Sequence, residues 1–464
     1  MQQNLESKFS YFLLHKKGYS LASEKFGMSN VLHNMLQIKS MIKLVLSLAC
    51  MFVYTYDLCA SDKAMLNALV EKGILTPAEA SEIAKESVGD VEILRPTTNM
   101  LRFSGRMQVQ GEWINSSAKS GVGAPEKDSN MGVIVRRIIL QADASLGSGW
   151  SACVSVDLAR SYVNSILTDN YIAKKIDGEY INGDLSFGYM KPGICVEDLF
   201  SSGTLMTIER SASTNYWTGA ANGRRLGIGS RYAGIRWRGN VKQVEGLTYN
   251  LGISNGFNLS PYRIDELAYN FQDDSPAYWL GLHYEIKREN AKVKFGIYSM
   301  YSGSANQNMG LMDSSSAYTI NPYYTGNWGN LYFWGDFLAS GVADGKMVAG
   351  QYRQANPYGL NFALEYRIDI DEFGQIAPAF RYSWLDTGGR GLMVSDAQRQ
   401  ATNVGTLYNN AQEFYFGLNW YLSGDDVKLQ LGYSYIQYSG SADDKHSGDF
   451  AESSALRMQF QVRF

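Results

Sequence analysis

The chain has 464 residues and a formal net charge of −3, with 19% charged and 45% apolar residues, 46 Gly and only 9 Pro. Past the N-terminus no apolar run approaches the roughly 20 residues that a membrane helix needs. No basic stripe suits a nucleic acid, and 20 Phe, 31 Tyr and 9 Trp are too many aromatics for a disordered chain.

Residues 1–40 carry no assignable pattern. Met41-Ile42-Lys43, the apolar run Leu44–Val53 and Ala60 before Ser61 make a basic n-region, an h-region and a cleavage site, which reads as a secretory signal peptide over 41–60. Either translation from Met41 or an unusually long n-region accounts for 1–40. Cleavage leaves Cys153, Cys195, His283 and His446, so neither a His-rich metal site nor a cofactor is expected.

Residues 61–96 read as a helical periplasmic prelude. Ala64, Leu66, Leu69 and Val70 recur at helical spacing up to Gly73. Thr76-Pro77 then offers an N-cap and an N1 proline to a second short helix ending at Lys85.

After Pro96 the period becomes two and stays so to Phe464. Leu101, Phe103, Met107, Val109 and Trp113 alternate with Arg102, Ser104, Arg106, Gln108, Gln110 and Glu112. Leu456, Met458, Phe460, Val462 and Phe464 alternate with Arg457, Gln459, Gln461 and Arg463. Similar runs around Leu280–Ile286, Leu360–Tyr366, Phe414–Leu422 and Val427–Tyr435 bring the expectation to about 16 strands.

Short connections (Gly147-Ser148-Gly149, Asn182-Gly183, Glu289-Asn290, Gly326–Gly329, Ser423–Asp426) alternate strictly with long ones near 115–130, 192–223, 257–276, 388–411 and 440–454. A soluble sandwich or propeller would show the same alternation. Aromatics near strand ends (Trp113, Tyr284, Trp420, Tyr435), charges at mid-strand and the preceding signal favour an all-β, 16-stranded antiparallel transmembrane barrel over 97–464.

Val135–Leu140, Tyr189-Met190-Lys191-Pro192-Gly193, Glu197-Asp198-Leu199, Thr207–Ser211 and Gly223-Arg224-Arg225-Leu226-Gly227 resemble the phosphate-selective porin O/P family of Gram-negative outer membranes. The resemblance extends to the prelude around Leu69–Ala80 and to the terminal Phe464. It implies a trimeric outer-membrane porin, with outer-membrane lipid and small anions such as phosphate or chloride as partners. It also implies a constriction loop over about 192–223. That loop carries only Arg210 before Arg224, beside Glu197, Asp198 and Glu209, so strict phosphate selectivity does not follow.

Strand parity gives an independent reading of the lumen. Its basic positions are Arg102, Arg106, Arg137, Arg225, Arg231, Lys287, Lys292, Lys294, Arg367, Arg381, Lys428, Arg457 and Arg463. Its acidic ones are fewer: Glu112, Asp143, Asp157, Glu285, Asp336 and Glu365. A positive wall selects anions, unless the bases pair with acids across strands. Arg236 and Arg238 face the lumen only if Gly234 shifts the register; otherwise they stand at the membrane edge. A disulfide between Cys153 and Cys195 would tether the inward loop, and two unpaired thiols are the alternative.

No nucleophile or orienting partner accompanies His283 or His446, and no phosphate-cradling glycine loop precedes a helix. A passive channel is therefore expected and no enzyme, with a structural, envelope-anchoring barrel as the alternative.

Overall fold

The computed structural model describes residues 70, 76, 98–118, 127–159, 167–219, 222–229, 231–254, 276–305, 315–441 and 450–464. The chain divides into two units, Met1–Val88 and Gly89–Phe464. Of the first, Val70 is helical and Thr76 is described. The expected N-terminal extension, the signal peptide and the rest of the helical prelude lie outside the described residues.

The second unit is one antiparallel sheet closed on itself. Its strands are β1 Thr98–Ala118, β2 Lys127–Leu146, β3 Trp150–Asp157, β4 Leu167–Asp177 and β5 Ile181–Met190. There follow β6 Tyr232–Val241, β7 Leu247–Ser254, β8 Ala277–Arg288, β9 Ala291–Ala305, β10 Ser315–Trp328 and β11 Leu331–Val348. β12 is one strand in three segments, Gln351–Ala355, Tyr358–Tyr366 and Ile368–Asp369. The first two segments pair with β11, and the last two pair with β13. β13 Gln375–Asp386, β14 Tyr408–Ser423, β15 Val427–Ser441 and β16 Phe450–Arg463 complete the sixteen. β16 then pairs with β1, for example Val109 with Phe460 and Trp113 with Leu456, which removes both sheet edges.

The period of two follows from this closure. Phe103, Val133, Leu280, Leu360 and Phe416 point outward and remain exposed, while Gln108, Gln110, Asn361 and Gln459 point inward and are buried. Such an exterior suits a hydrocarbon surround, where every backbone group must find its partner within the protein.

The connections differ from the sequence reading at three places. Gly326–Trp328 belong to β10, opposite Leu331–Phe333, so that turn is confined to Gly329-Asn330. Asn182 and Gly183 lie within β5, opposite Asp177 and Ile176, and the turn comes earlier, closed by Gly178 N donating to Ile181 O at 2.9 Å. The alternation of short and long ends also breaks once. β11 and β12 are joined on the long-loop side by Ala349-Gly350, whose φ values of 50° and 76° make a tight hairpin turn.

A β-bulge falls where β1 meets β2. Gln108 pairs with Arg137 and Val109 with Val135, so Arg136 is the extra residue.

Candidate functional site

The long segment between β5 and β6 folds against the inner wall. It carries two short helices, α1 Val196–Leu199 and α2 Ala212–Thr218. Ser211 caps α2 by accepting from Thr214 N at 3.0 Å. Helix N-termini present N–H groups that need acceptors, and the wall supplies them. Val196 N donates to Asp336 Oδ2 at 3.2 Å, Ala212 N to Glu413 Oε2 at 2.7 Å and Ser213 N to Ser383 Oγ at 3.2 Å. Trp217, whose Nε1 donates to Ser340 Oγ, is fully buried with Ile208 and Leu226.

Arg381 faces inward from β13 and is 1% exposed. Its Nη1 donates to Glu197 Oε1 (2.8 Å), Thr207 Oγ1 (2.8 Å) and Glu209 O (2.6 Å), and its Nη2 donates to Glu413 Oε1 (2.6 Å). The parity is as read from the sequence, but the guanidinium fastens the loop instead of facing a solute. Glu197 is correspondingly an anchor, 0% exposed, whose other oxygen accepts from Ser211 N. Lys428 and Arg457 are likewise occupied, Lys428 with Leu205 O and Asp425, Arg457 with Glu112.

A second inward loop joins β13 to β14 over residues 387–407 and contains α3 Val394–Ala397. Asp396 caps the helix start by accepting from Met393 N, and it pairs with Arg224 at 2.6 Å and Arg225 at 3.7 Å. Burial alone would raise this carboxyl, but the hydrogen bonds from Arg224, Met393 N and Asn222 hold it below the usual range. Arg390 donates to Gly223 O, Arg224 O and Gly345 O, so it ties the two loops to each other and to the wall.

Where the loops meet β1, β2 and β16, charges alternate in a chain: Arg136, Glu209, Arg399, Glu112, Arg457. Arg136 grips Glu209 with Nε and Nη2 at 2.7 and 3.1 Å. Arg399 Nε donates to Glu209 at 2.9 Å and its Nη2 to Glu112 at 2.7 Å. Arg457 Nε reaches Glu112 at 3.2 Å. Burial opposes ionisation of Glu209, yet Arg136 and Arg399 outweigh it and hold the carboxyl well below its ordinary value. Arg137, beside them, donates to Gln108 Oε1 at 2.7 Å. The bulge turns both Arg136 and Arg137 inward, whereas strict parity admits only Arg137.

A less shielded row of bases follows the inner wall on the side of β1 and β4–β9. Arg106 donates to Ser201 Oγ and lies within electrostatic reach of Arg463, Arg210 and Arg231. Arg231 forks onto Asp169, with Nε and Nη2 each donating to one carboxylate oxygen at 3.0 Å. Arg236 donates to Lys191 O and neighbours Arg238, which in turn neighbours Lys294. Lys292 and Lys287 share Glu285 near the turn after β8. Arg102 stands opposite Asp143 in the register. Among the described residues, Arg106, Arg137, Arg236, Arg238 and Lys294 form no ion pair.

The register runs unbroken through Gly234, contrary to the condition set for Arg236 and Arg238. Both still face inward, because the strand begins at Tyr232 and its parity cannot be extrapolated from Leu226 and Ile228, which lie in the loop. Ile235, the residue before Arg236, is exposed on the outside.

At the loop root, Asp198 accepts from Lys191 Nζ at 2.6 Å and Arg210 Nε at 2.8 Å. Burial lowers the Lys191 ammonium to about 8 despite Asp198. The proposed disulfide is not formed, since Cys153 and Cys195 are both free and buried. Cys195 sits at the start of α1 with its N–H on Asn321 Oδ1, while Cys153 Sγ contacts Asp169 O on β4. Among the described residues no group of three His, Cys, Asp or Glu could hold a metal ion.

The sequence reading missed Arg136, Arg224, Arg390, Asp396 and Arg399. Two signals were present. Arg136-Arg137 interrupts an otherwise clean alternation, as a bulge does, and Leu392, Val394, Ala397 and Val404 are apolar in a long connection, as in a loop that packs inside.

Residues 120–246 match the family described as phosphate-selective porin O and P, and the resemblance read from the sequence holds over them. No curated protein matches the chain. Among solved structures it is similar to the outer membrane channel DcaP of Acinetobacter baumannii, at 10% identity and a TM-score of 0.49, covering 81% of this chain and 100% of that one. It is also similar to an anion-selective porin from Comamonas acidovorans (11% identity, TM-score 0.48, 78% and 99% covered). OprB of Pseudomonas putida gives 12% identity, a TM-score of 0.47 and coverage of 77% and 94%.

Proposed function

We propose that this chain is an outer-membrane porin of a Gram-negative-type bacterium, a passive aqueous channel for small hydrophilic solutes that prefers anions. The reading assigns it no catalytic role, and takes the homotrimer implied by the family resemblance as its working assembly. The porin-family match over 120–246 and the closed barrel with an apolar exterior support the channel.

The observation that carries the anion preference is the inward row of bases that close no ion pair among the described residues, Arg106, Arg137, Arg236, Arg238 and Lys294, although Arg238 and Lys294 stand across from Asp184 and Glu285 in the register. Low-dielectric walls focus the field of such charges into the lumen water. Arginine also offers the planar fork that fits phosphate and carboxylate oxygens. Several spaced bases attract an anion without trapping it at one site, which passage requires. Because many other inward bases are neutralised, weak selectivity is favoured over a strict phosphate filter.

The test is the reversal potential of the refolded protein in a planar bilayer across a KCl gradient, followed by addition of phosphate. Chloride preference with partial block by phosphate is expected. Cation preference would reject the selectivity, and a verified barrel without conductance would reject the channel.

A further inference from the structure

Resting on the channel reading above, we infer that Arg399, from the second inward loop, is a selectivity-determining residue of the lumen. It supplies the excess positive charge that solutes meet where the two loops converge, since Arg136 and Arg457 alone would only balance Glu209 and Glu112. Glu209 and Glu112 are the acids at that level, placed there by the first loop and by β1 respectively. Arg136 and Arg457 each serve one of them; Arg399 alone serves both, with Nε on Glu209 and Nη2 on Glu112. The same Nη2 donates to Gln110 Oε1 at 2.7 Å.

The backbone is built to deliver this side chain. Gln400 adopts φ +64°, an uncommon conformation for a residue other than glycine. On either side of this kink, Arg399 O accepts from Arg457 Nη2 at 2.7 Å and Gln400 O accepts from Asn130 Nδ2. The guanidinium keeps 21% exposure, so it stays in contact with lumen water. Removing it would leave two carboxylates with one partner each and shift the local charge by one unit. Because the residue stands on a loop, that change leaves the wall itself intact.

The experiment measures reversal potential and conductance for the full-length protein and for Arg399→Gln, Arg399→Lys and the double variant Arg399→Gln/Glu209→Gln. All are first checked for a folded barrel by heat-dependent gel mobility. The expected result is that Arg399→Gln lowers the anion preference, with the unpaired bases of the wall retaining the remainder, and that Arg399→Lys stays close to the parent. The double variant, with charge balance restored, should return toward the parent. A purely structural role would alter conductance without moving the reversal potential, and that outcome overturns the inference. If Arg399→Gln does not fold, Glu209→Gln alone gives the reciprocal reading: a stronger anion preference supports the inference and an unchanged one overturns it. A parent barrel that does not conduct defeats the channel reading itself, separately from any comparison among variants.

Discussion

Arg381 Nη1 lies 2.8 Å from Glu197 Oε1, joining the wall strand β13 to the first helix of the inward loop across 184 residues of sequence. Glu413 from β14 completes a buried triad in which one guanidinium balances two carboxylates. Those carboxylates in turn accept the loop's own N–H groups at Ser211 and Ala212.

Replacing Arg381 with Met should therefore release the loop, because both carboxylates would remain buried without a counter-charge. Breaking a buried ion pair from one side costs roughly 3–5 kcal/mol. The expected outcome is a lower unfolding temperature together with a larger and noisier single-channel conductance. Arg381→Lys should rescue only in part, since an ammonium cannot reproduce the fork that binds both acids.

Lys191 predicts a pH dependence. Burial lowers its ammonium to about 8, whereas an unfolded lysine titrates near about 10.4. Between these values the unfolded chain binds more protons, so the barrel gains stability as pH rises through the window. Over the same window the lumen loses one positive charge. Anion preference should fall as pH is raised from about 7 to about 9.5, and Lys191→Met should show a lower preference at neutral pH with that pH component absent. Reversal potentials at stepped pH check both.

Cys153 and Cys195 should behave as sealed thiols. Burial pushes the Cys195 thiol well above its usual range, with Asp336 and Asp198 adding to the effect, and Cys153 is 4% exposed. Maleimide should leave the folded barrel unmodified and add to both after denaturation without any reductant, as read by intact mass. A two-dalton deficit that resists alkylation would contradict the free thiols.

Barrel closure depends on a glycine. A Cβ at Gly105 would lie 2.4 Å from the Phe464 ring, and the two residues exchange backbone hydrogen bonds of 2.6 and 3.1 Å. Gly105→Val should displace the terminal residue and lower stability by about 1–3 kcal/mol, the usual cost of overpacking. Phe464→Ala in the same chain should recover part of the loss in thermal melts.

The strands were legible in the sequence because a two-sided sheet imposes its period locally. Leu101 to Trp113 and Leu456 to Phe464 announce their faces without reference to any other strand. Arg136 was not, because a bulge depends on how β1 and β2 pair, and one extra residue reverses the parity that follows it. Asn182-Gly183 looked like a turn on composition, yet its register with Ile176 and Asp177 places it inside β5.

What the sequence determined by itself is the inward side of most strand residues, which follows from alternation, and the sixteen-stranded barrel, which needed aromatic strand ends and mid-strand charges as well. What only the tertiary structure decided is which inward charges remain unpaired. Glu209 meets Arg136 from 73 positions away and Arg399 from 190. Those partnerships are set by the path of two loops through the lumen. That path is fixed by long-range contacts such as Arg381 with Glu197 and Asp396 with Arg224, which leave no periodic trace in the chain.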